Sequence, residues 1–303
     1  MQKLTAAVAA LAIVMFSAIF ALAQTPPPAP NAGPPITPEP PLSAADQELG
    51  KGKVIGLDYF FNHQVRNGQQ FHYIWEESDI NGYSRFGDVW KEYGATLDSL
   101  KKAPTLADLQ KFSVYIIVNP NTAAKSAPNP PNFIMPPDVD AIVAWVQSGG
   151  VLALFANDKN NCEFEHLNTL STRFGITFNE DLRNTAPSTR DQPHGTFHAA
   201  QFQPHPVLDG VPAIYMKEIC TLQVKDPATA ILTVDKEPEQ GTGKDIIMAS
   251  SKFGKGLVFA VGDPWVYNEY IDVHPTGMNV DNRLATIKLC RWLLQSASAP
   301  QAK

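Results

Sequence analysis

The sequence of 303 residues has few cysteines and no basic run, and each shortage excludes a class of protein. Its three cysteines, Cys162, Cys220 and Cys290, allow at most one disulfide bond. A fold held together mainly by disulfides is therefore excluded. Charged residues make up only 18% of the chain, and the formal net charge is −6. Because nucleic-acid binding needs clustered lysine and arginine, we expect no nucleic-acid partner.

Several catalytic motifs are also missing. The sequence contains no G-x-S-x-G or G-x-C-x-G elbow, no HExxH, no P-loop and no GxGxxG. Where a nucleophile elbow would follow a strand, the chain reads LFANDKNN and carries Asn157 and Asp158 instead. Serine or cysteine acyl chemistry is therefore not expected at that position, and we expect no cysteine glutaminase.

The first 48 residues predict a leader and a tether. Residues 1–23 combine one lysine, a long apolar run and the small residues Ala21 and Ala23, as in a signal peptide cleaved before Gln24. A retained membrane anchor is the alternative, because the apolar run is near the shortest length that crosses a bilayer. Residues 24–48 are rich in proline and predict an extended linker. We expect a secreted protein, periplasmic or extracellular, with one domain over residues 49–296 and a tail over residues 297–303.

Within that domain, short apolar runs alternate with amphipathic segments. This alternation predicts parallel strands whose connecting helices cover both faces of the sheet. The predicted strands lie near residues 54–58, 114–120 and 151–158, and predicted helices near 84–94, 136–150 and 163–175. Two later runs joined at Lys252 to Gly256 predict a hairpin, and residues 280–295 a closing helix. The fold class is α/β, a three-layer sandwich with a mainly parallel sheet and a C-terminal hairpin.

Polar and aromatic residues collect after three of the predicted strands. Ligands bind beyond the carboxyl ends of the strands in open parallel sheets, so we expect the clusters DYFFNH, ANDKNNCEFEH and GDPWVYNEY to share one crevice. Carboxylates and amides bind sugar hydroxyls, aromatic rings stack on pyranoses, and a carboxylate pair can cleave glycosides. The candidate catalytic residues are Asp158, Glu163, Asp263 and Glu269, and the candidate ligand-binding residues are Asp58, Asn62, His63, Asn157, Asn161, His166, Trp265, Tyr267 and Asn268.

Each of these residues also has a structural interpretation. Asp58 and Asp263 are of the type that caps helices or turns through backbone amides. Trp265 and Tyr267 are of the type that covers a hydrophobic core. His63, His166 and Asp263 are metal-ligand types, but no close His-x-His spacing supports a metal site, and we expect neither a metal nor a cofactor.

The sequence also resembles a known family. The segments VIGLDYFFNHQ, VYIIVNPNT, WVQSGGVLALFANDKNNCEFEHLN and FGKGLVFAVGDPWVYNEYID, with others between 54 and 294, resemble a secreted domain of unassigned function. That domain occurs fused to, or encoded beside, bacterial unsaturated rhamnogalacturonyl hydrolases. The resemblance implies a flavodoxin-like sandwich of the class I glutamine amidotransferase-like kind. Asn157 stands where the nucleophilic cysteine of an amidotransferase would be.

Three functions stay open at this point. The first is a carbohydrate-binding or accessory module in pectin (rhamnogalacturonan) breakdown, a setting implied by the resemblance. Its partners would be an oligosaccharide and a separate unsaturated glucuronyl or rhamnogalacturonyl hydrolase. The second is a carboxylate-dependent hydrolase acting on oligosaccharides that contain uronic acid. The third is a structural domain that docks onto a partner enzyme.

Overall fold

The computed structural model of the chain describes residues 42–184, 194–268, 271–272 and 279–300. Within these ranges the helices are α1 (Ala44–Gln47), α2 (Ser84–Glu92), α3 (Leu106–Leu109), α4 (Ala123–Ser126), α5 (Pro136–Ser148), α6 (Phe164–Ser171) and α7 (Asn282–Ser296). The strands are β1 (Val54–Asp58), β2 (Val65–Arg66), β3 (Gln69–Gln70), β4 (Thr96–Leu100), β5 (Val114–Val118), β6 (Val151–Phe155), β7 (Ile176–Phe178), β8 (His194–His198), β9 (Ala213–Lys217), β10 (Leu222–Val224), β11 (Ala228–Asp235), β12 (Lys244–Phe253) and β13 (Gly256–Val261).

The central sheet has a parallel half and an antiparallel half. Its strand order is β4-β1-β5-β6-β13-β12-β10-β7, and β11 pairs with β12 beside this path. The pairs from β4 to β13 are all parallel, whereas β12, β10, β11 and β7 pair antiparallel. The predicted hairpin is confirmed as β12 and β13, which meet at the pair Phe253 and Gly256. The predicted mainly parallel sheet is therefore confirmed.

The central strands are apolar along their whole length because both of their faces are buried. In β5, Val114, Ile116 and Val118 face one hydrophobic cluster, whereas Tyr115 and Ile117 face the other. Side chains of a strand alternate between its faces, so a strand covered on both sides needs no polar position. The edge strand β4, by contrast, is partly exposed along most of its length.

Helices form the two outer layers of the sandwich. Helices α2 and α7 pack together over one face, with Phe86, Trp90 and Leu289 in the first cluster. Helices α3, α5 and α6 cover the other face, with Ile142 and Leu167 in the second cluster. This arrangement is the predicted three-layer sandwich.

No helix in the described ranges combines the length and the apolar character that a bilayer-spanning helix needs.

Two features differ from the sequence-based expectations. Strand β8 lies in a stretch for which no strand is predicted, and it pairs antiparallel with β9 in a separate two-stranded sheet. Helix α1 lies within the segment predicted as linker. There the Asp46 carboxylate lies 3.1 Å from the Arg291 guanidinium of α7. Helix α1 begins at a local cap, in which the Ser43 hydroxyl accepts the Asp46 backbone N–H at 3.1 Å, whereas β8 depends on pairing with β9.

Gly262 directly follows β13 and packs against the segment that contains Cys220. Substituting it tests the packing that positions the loop after β13. A Cβ on this residue would lie 1.9 Å from the backbone carbonyl oxygen of Cys220, whose own N–H donates to the Gly262 carbonyl at 3.0 Å. Because backbone on both sides would have to move, we expect Gly262→Ala to lower the free energy of unfolding by about 2 kcal/mol or more. Chemical denaturation measures this.

Gly195→Ala is the matched control. Its added Cβ would meet only side-chain atoms, the tip of the Phe197 ring at 3.1 Å and the Asn184 amide at 3.2 Å, so a smaller loss is expected. Equal stability of Gly262→Ala and the wild type would contradict the predicted clash.

Candidate functional site

The polar clusters do lie along one edge of the sheet. Strands β1, β5, β6 and β13 are neighbours in that order and all run in the same direction, so their carboxyl ends meet at the same edge. The loops after β6 and β13 are adjacent, and the loop after β5 separates them from the loop after β1. Cys220, after β9, joins this edge by donating its N–H to the Gly262 carbonyl at 3.0 Å.

Asp58 holds the loop after β1 in place. One carboxylate oxygen accepts backbone N–H groups from Phe60, Phe61 and Asn62 at 3.2, 2.7 and 3.4 Å. The other accepts the Tyr115 hydroxyl at 2.6 Å. Burial raises the pKa of this carboxyl to about 7 against these stabilising bonds. Both oxygens are thus engaged by the protein, as in the structural interpretation of this residue.

The amides of this loop point toward the loop after β5. Asn62 is buried and donates its side-chain N–H to the Asn119 carbonyl at 3.0 Å. The side-chain oxygens of Asn62 and Asn119 are buried and have no hydrogen-bond partner among the described residues. His63 is half-buried, and its Nδ1 lies 3.5 Å from the Asn132 side-chain nitrogen. Two buried acceptors at this edge therefore lack a donor in the part of the chain that the structure describes.

The loop after β6 is held by its own amides. Asn157 accepts the Asp158 backbone N–H at 2.8 Å and donates to the Tyr73 hydroxyl at 3.4 Å. Asp158, only 3% exposed, accepts the Asn161 side-chain N–H at 2.6 Å. Burial is the largest effect on the Asp158 carboxyl and raises its pKa. Lys125, from α4, acts in the opposite direction through its positive charge.

Glu163 and His166 form a helix cap. Glu163 is the N-cap residue of α6, where both of its carboxylate oxygens accept the His166 backbone N–H at 3.2 and 3.1 Å. One of them also lies 3.0 Å from His166 Nδ1. The His166 ring stacks on Phe133 with 4.3 Å between centroids. Donor atoms of Glu163, Glu165 and His166 lie within 4.8 Å of one another, a different set from the metal ligands considered on sequence.

The segment GDPWVYN is buried. Asp263 is fully buried, and its two oxygens accept the backbone N–H groups of Lys217 and Trp265 at 2.9 and 2.7 Å. Burial raises its pKa well above the ordinary value. Tyr267 is also fully buried and stacks on Phe155 with centroids 4.8 Å apart. Its ring is a core element and offers no face to a ligand. Asn268 is 1% exposed, and Glu269 lies outside the described residues.

Trp265 lies at the boundary between the core and the edge. It is 8% exposed, and the Lys217 ammonium lies 4.6 Å from the centroid of its ring. This cation covers the face that a sugar would need for stacking. The indole N–H faces the Glu218 carboxylate and lowers its pKa, without reaching hydrogen-bond geometry. Trp265 therefore orients charged neighbours and is not an open stacking platform.

Glu218 is a site residue that sequence reasoning missed. It is half-buried, and its pKa is raised first by burial and next by the negative charge of Asp158. Lys125 counters this effect at Glu218 as it does at Asp158. We call Asp158, Glu218, Lys125 and Trp265 the edge cluster. In the sequence AIYMKEIC, the charged Lys-Glu pair inside an apolar run is the signal that could have identified Glu218.

The backbone around the edge cluster is in an unusual conformation. Left-handed φ values occur at His72 (66°), Tyr73 (54°), Asn119 (43°) and Glu218 (51°). Such values cost non-glycine residues free energy and persist where the surrounding structure imposes them. Because strained residues collect at ligand sites, their position beside the edge cluster supports a functional role there.

The edge cluster combines two carboxyl groups with one ammonium group. The negative charge of Asp158 adds to burial in raising the pKa of the Glu218 carboxyl. Lys125 supplies a nearby positive charge that acts in the opposite direction on both carboxyl groups. The cluster therefore offers hydrogen-bond acceptors and a cationic donor side by side.

Solved structures share this architecture. No family model and no curated protein matches the sequence. The mmIFT52 N-terminal domain matches with a TM-score of 0.56 and 15% identity, over 80% of this chain and 97% of that one. A cytoplasmic protein of Salmonella typhimurium LT2 matches with a TM-score of 0.50 and 13% identity, over 81% and 100%. A putative ThuA-like protein from Bacteroides uniformis has a TM-score of 0.49 and 16% identity, over 80% and 92%.

The strand order and the first two likenesses together show the class of fold. It is an α/β three-layer sandwich with a mainly parallel sheet and a C-terminal hairpin, as predicted. At these identities the likeness extends to the fold alone.

The buried Asp58 carboxyl predicts a pH-dependent stability. Its pKa rises from 3.8 in the unfolded chain to about 7 in the folded one. Between these values the folded chain holds a proton that the unfolded chain has released, so its stabilising contribution is present in acid and is lost as the pH rises toward 7. Relative to Asp58→Asn, the wild type should lose about 1.4 kcal/mol of stability per pH unit in this window.

Urea denaturation between pH 4 and pH 8 measures this difference. Asp209→Asn, at an exposed aspartate, is the control. A constant difference between the wild type and Asp58→Asn across the window would contradict the assigned shift.

The burial of the three cysteines predicts that their thiols react slowly in the folded protein. Cys162, Cys220 and Cys290 are free and buried, and burial is the main cause that raises the pKa of each thiol. The thiolate is the reactive form. A maleimide should therefore label no cysteine rapidly in the native protein and all three after unfolding. Rapid native labelling of Cys162, detected by mass spectrometry, would contradict this expectation.

Proposed function

We propose that this chain is a carbohydrate-binding domain whose ligand contacts the edge cluster. The observation that carries the proposal is the meeting of Asp158, Glu218 and Lys125 within reach of each other's charges at the carboxyl edge of the sheet. Carboxylates accept hydrogen bonds from sugar hydroxyls, and an ammonium group donates them. The strained backbone of Glu218 supports the same assignment.

The buried amide oxygens extend the polar surface of this edge. Asn62 and Asn119 each carry a side-chain oxygen without a donor among the described residues. An unmatched buried acceptor is costly, and a ligand hydroxyl or a bound water removes that cost. This feature is consistent with a polyhydroxylated ligand.

The proposed setting is the breakdown of rhamnogalacturonan. It is supported by the resemblance of ANDKNNCEFEH and GDPWVYNEY to the secreted domain found with unsaturated rhamnogalacturonyl hydrolases. In this proposal the domain acts as an accessory module beside a separate unsaturated glucuronyl or rhamnogalacturonyl hydrolase. The predicted leader supports a location outside the cytoplasm, where such polymers are degraded.

A carboxylate-dependent hydrolase is the second candidate function. The observation in its favour is the effect of the Asp158 charge on the Glu218 pKa, because glycoside cleavage uses one protonated and one ionised carboxyl. Glu218, the more exposed of the two, would be the proton donor, and Asp158 would remain ionised beside Lys125. Asp263, a candidate catalytic residue on sequence, is left out of this pair because the protein itself engages both of its oxygens.

Binding of rhamnogalacturonan oligosaccharides, measured by titration calorimetry, tests the first function. We expect Asp158→Asn and Glu218→Gln each to weaken binding about tenfold or more, since each loses a charged hydrogen-bond acceptor. Glu239→Gln, at an exposed glutamate, should bind as the wild type does. Wild-type protein that binds none of these oligosaccharides would contradict the proposal and favour a docking domain.

Turnover of the same oligosaccharides separates the two functions. If the domain is a hydrolase, Glu218→Gln should lower kcat by about a hundredfold or more, because general acid-base help is of this size. Absence of any product from the wild type would rule out the second function and leave the first standing.

A further inference from the structure

A buried carboxylate joins the end of β9 to the loop after β13. One oxygen of Asp263 accepts the Lys217 backbone N–H at 2.9 Å, and the other accepts the Trp265 backbone N–H at 2.7 Å. We call this arrangement the Asp263 bridge. Because Asp263 is fully buried, solvent does not compete for these two bonds. The bridge therefore sets the position of the chain at Lys217 relative to the chain at Trp265.

The backbone of Glu218 is held from both sides. Lys217 precedes it and belongs to the Asp263 bridge, and the Cys220 N–H, two residues after it, donates to the Gly262 carbonyl at 3.0 Å. Between these two bonds Glu218 has a left-handed φ of 51°. Such a conformation costs a non-glycine residue free energy and persists where the surrounding structure imposes it. The contacts with the loop after β13 supply that constraint.

The ring of Trp265 is fixed by the same group of contacts. Its backbone N–H is held by Asp263, and the Lys217 ammonium lies 4.6 Å from the centroid of the ring. The Tyr73 ring meets it edge to face, with 6.1 Å between centroids. The direction of the indole N–H is therefore set by the fold.

This indole N–H is a donor directed at Glu218. It is buried and has no hydrogen-bond partner among the described residues, yet the Glu218 carboxylate is close enough for the N–H to lower its pKa. Glu218 is only half-buried, so its side chain has room to turn. A buried donor without an acceptor is costly, and an ionised acceptor forms a strong hydrogen bond. A rotation of the Glu218 side chain closes the bond.

The charges around Glu218 do not fix its direction. Asp158 raises its pKa, whereas Lys217 and Lys125 lower it. Asp263 also faces it, since the Glu218 charge raises the pKa of the Asp263 carboxyl. Charges of both signs thus act on Glu218, and a Coulomb interaction has no preferred angle. A hydrogen bond does have one, so the indole is the group that can orient this carboxylate.

We propose that Asp263 and Trp265 are positioning residues for Glu218. The Asp263 carboxylate fixes the backbone on which Glu218 stands, and the Trp265 indole N–H fixes the direction of the Glu218 carboxylate within the edge cluster. Both residues act on a ligand through Glu218 and not by contact with it. This inference rests on the proposed carbohydrate-binding function and deepens it, because it gives two buried residues the task of placing one that meets the ligand.

The ionisation of Glu218 tests the indole contact without any ligand. The whole chain, with labelled nitrogen in its five tryptophan indoles, is followed by NMR between pH 3 and pH 8. We expect the Trp265 indole signal to move as Glu218 ionises, because an ionised acceptor strengthens the bond, and Glu218→Gln to abolish this movement. In Trp265→Phe the Glu218 carboxyl should titrate at a higher pH, since a donor that stabilises its ionised form is lost.

Trp75→Phe is the matched control for the indole. The Trp75 indole N–H donates to the Asp98 carbonyl at 3.0 Å, outside the edge cluster. Its replacement removes one indole hydrogen bond and should leave the titration of Glu218 unchanged.

Asp263→Asn tests the bridge. An amide has one acceptor oxygen, so one of the two backbone bonds is lost. We expect the Trp265 indole signal to stop following Glu218 in a protein that thermal unfolding shows to be folded. Asp138→Asn is the control, because this buried carboxylate accepts the Met135 backbone N–H at 2.9 Å elsewhere in the fold. It should leave the movement of the signal intact.

Binding of rhamnogalacturonan oligosaccharides, measured by calorimetry, connects the positioning with the ligand. We expect Trp265→Phe to weaken binding about fivefold, the size of one hydrogen bond. In the Glu218→Gln background the same substitution should have no further effect, because Trp265 acts through Glu218.

The outcomes separate this inference from the function on which it rests. A Trp265 signal that still moves in Glu218→Gln overturns the positioning, even when the wild type binds oligosaccharides. Additive losses of binding in the two variants overturn it as well. A signal that follows Glu218 in a protein that binds no oligosaccharide supports the positioning and overturns the proposed function. A folded Asp263→Asn protein in which the movement persists overturns the role of Asp263.

Discussion

The burial of four parallel strands on both faces is the constraint on which the rest of the structure depends. Strands β1, β5, β6 and β13 carry almost no polar side chain between their ends, so the chain can place polar chemistry only where these strands stop. Because the strands are parallel and adjacent, four such ends fall on one edge. The edge cluster follows from sheet topology as much as from residue type.

Two buried carboxylates hold the loops at this edge in place against the hydrophobic core. Asp58 and Asp263 each accept hydrogen bonds both from their own loop and from a neighbouring segment of the chain. Burial raises the pKa of each carboxyl. They fix the loops on which Asn62 and Trp265 stand. These two structural acids share one edge of the sheet with the carboxylates of the edge cluster.

The ends of the domain lie at the opposite edge of the sheet. Lys53, just before β1, donates to the Leu294 carbonyl of α7 at 2.6 Å, and Gly50 donates to the Tyr93 carbonyl at 2.7 Å. Ser298 lies near Ser113 and Gly150, which precede β5 and β6. The described N-terminal end of the domain therefore lies on the side of the sheet away from the edge cluster.

The sequence by itself determined the layers and the edge. Continuous apolar runs such as VYIIV require burial on both faces, and the amphipathic helices between them require a parallel sheet, so the fold class and the convergence of loops could be predicted. Only the tertiary structure decided which polar residues remain open. Tyr267 and Asp263 have the same types as site residues, but their neighbours in space bury them and satisfy their polar atoms. Glu218 and Lys125 come from segments far apart in the chain, and only the folded structure brings their charges within reach of each other.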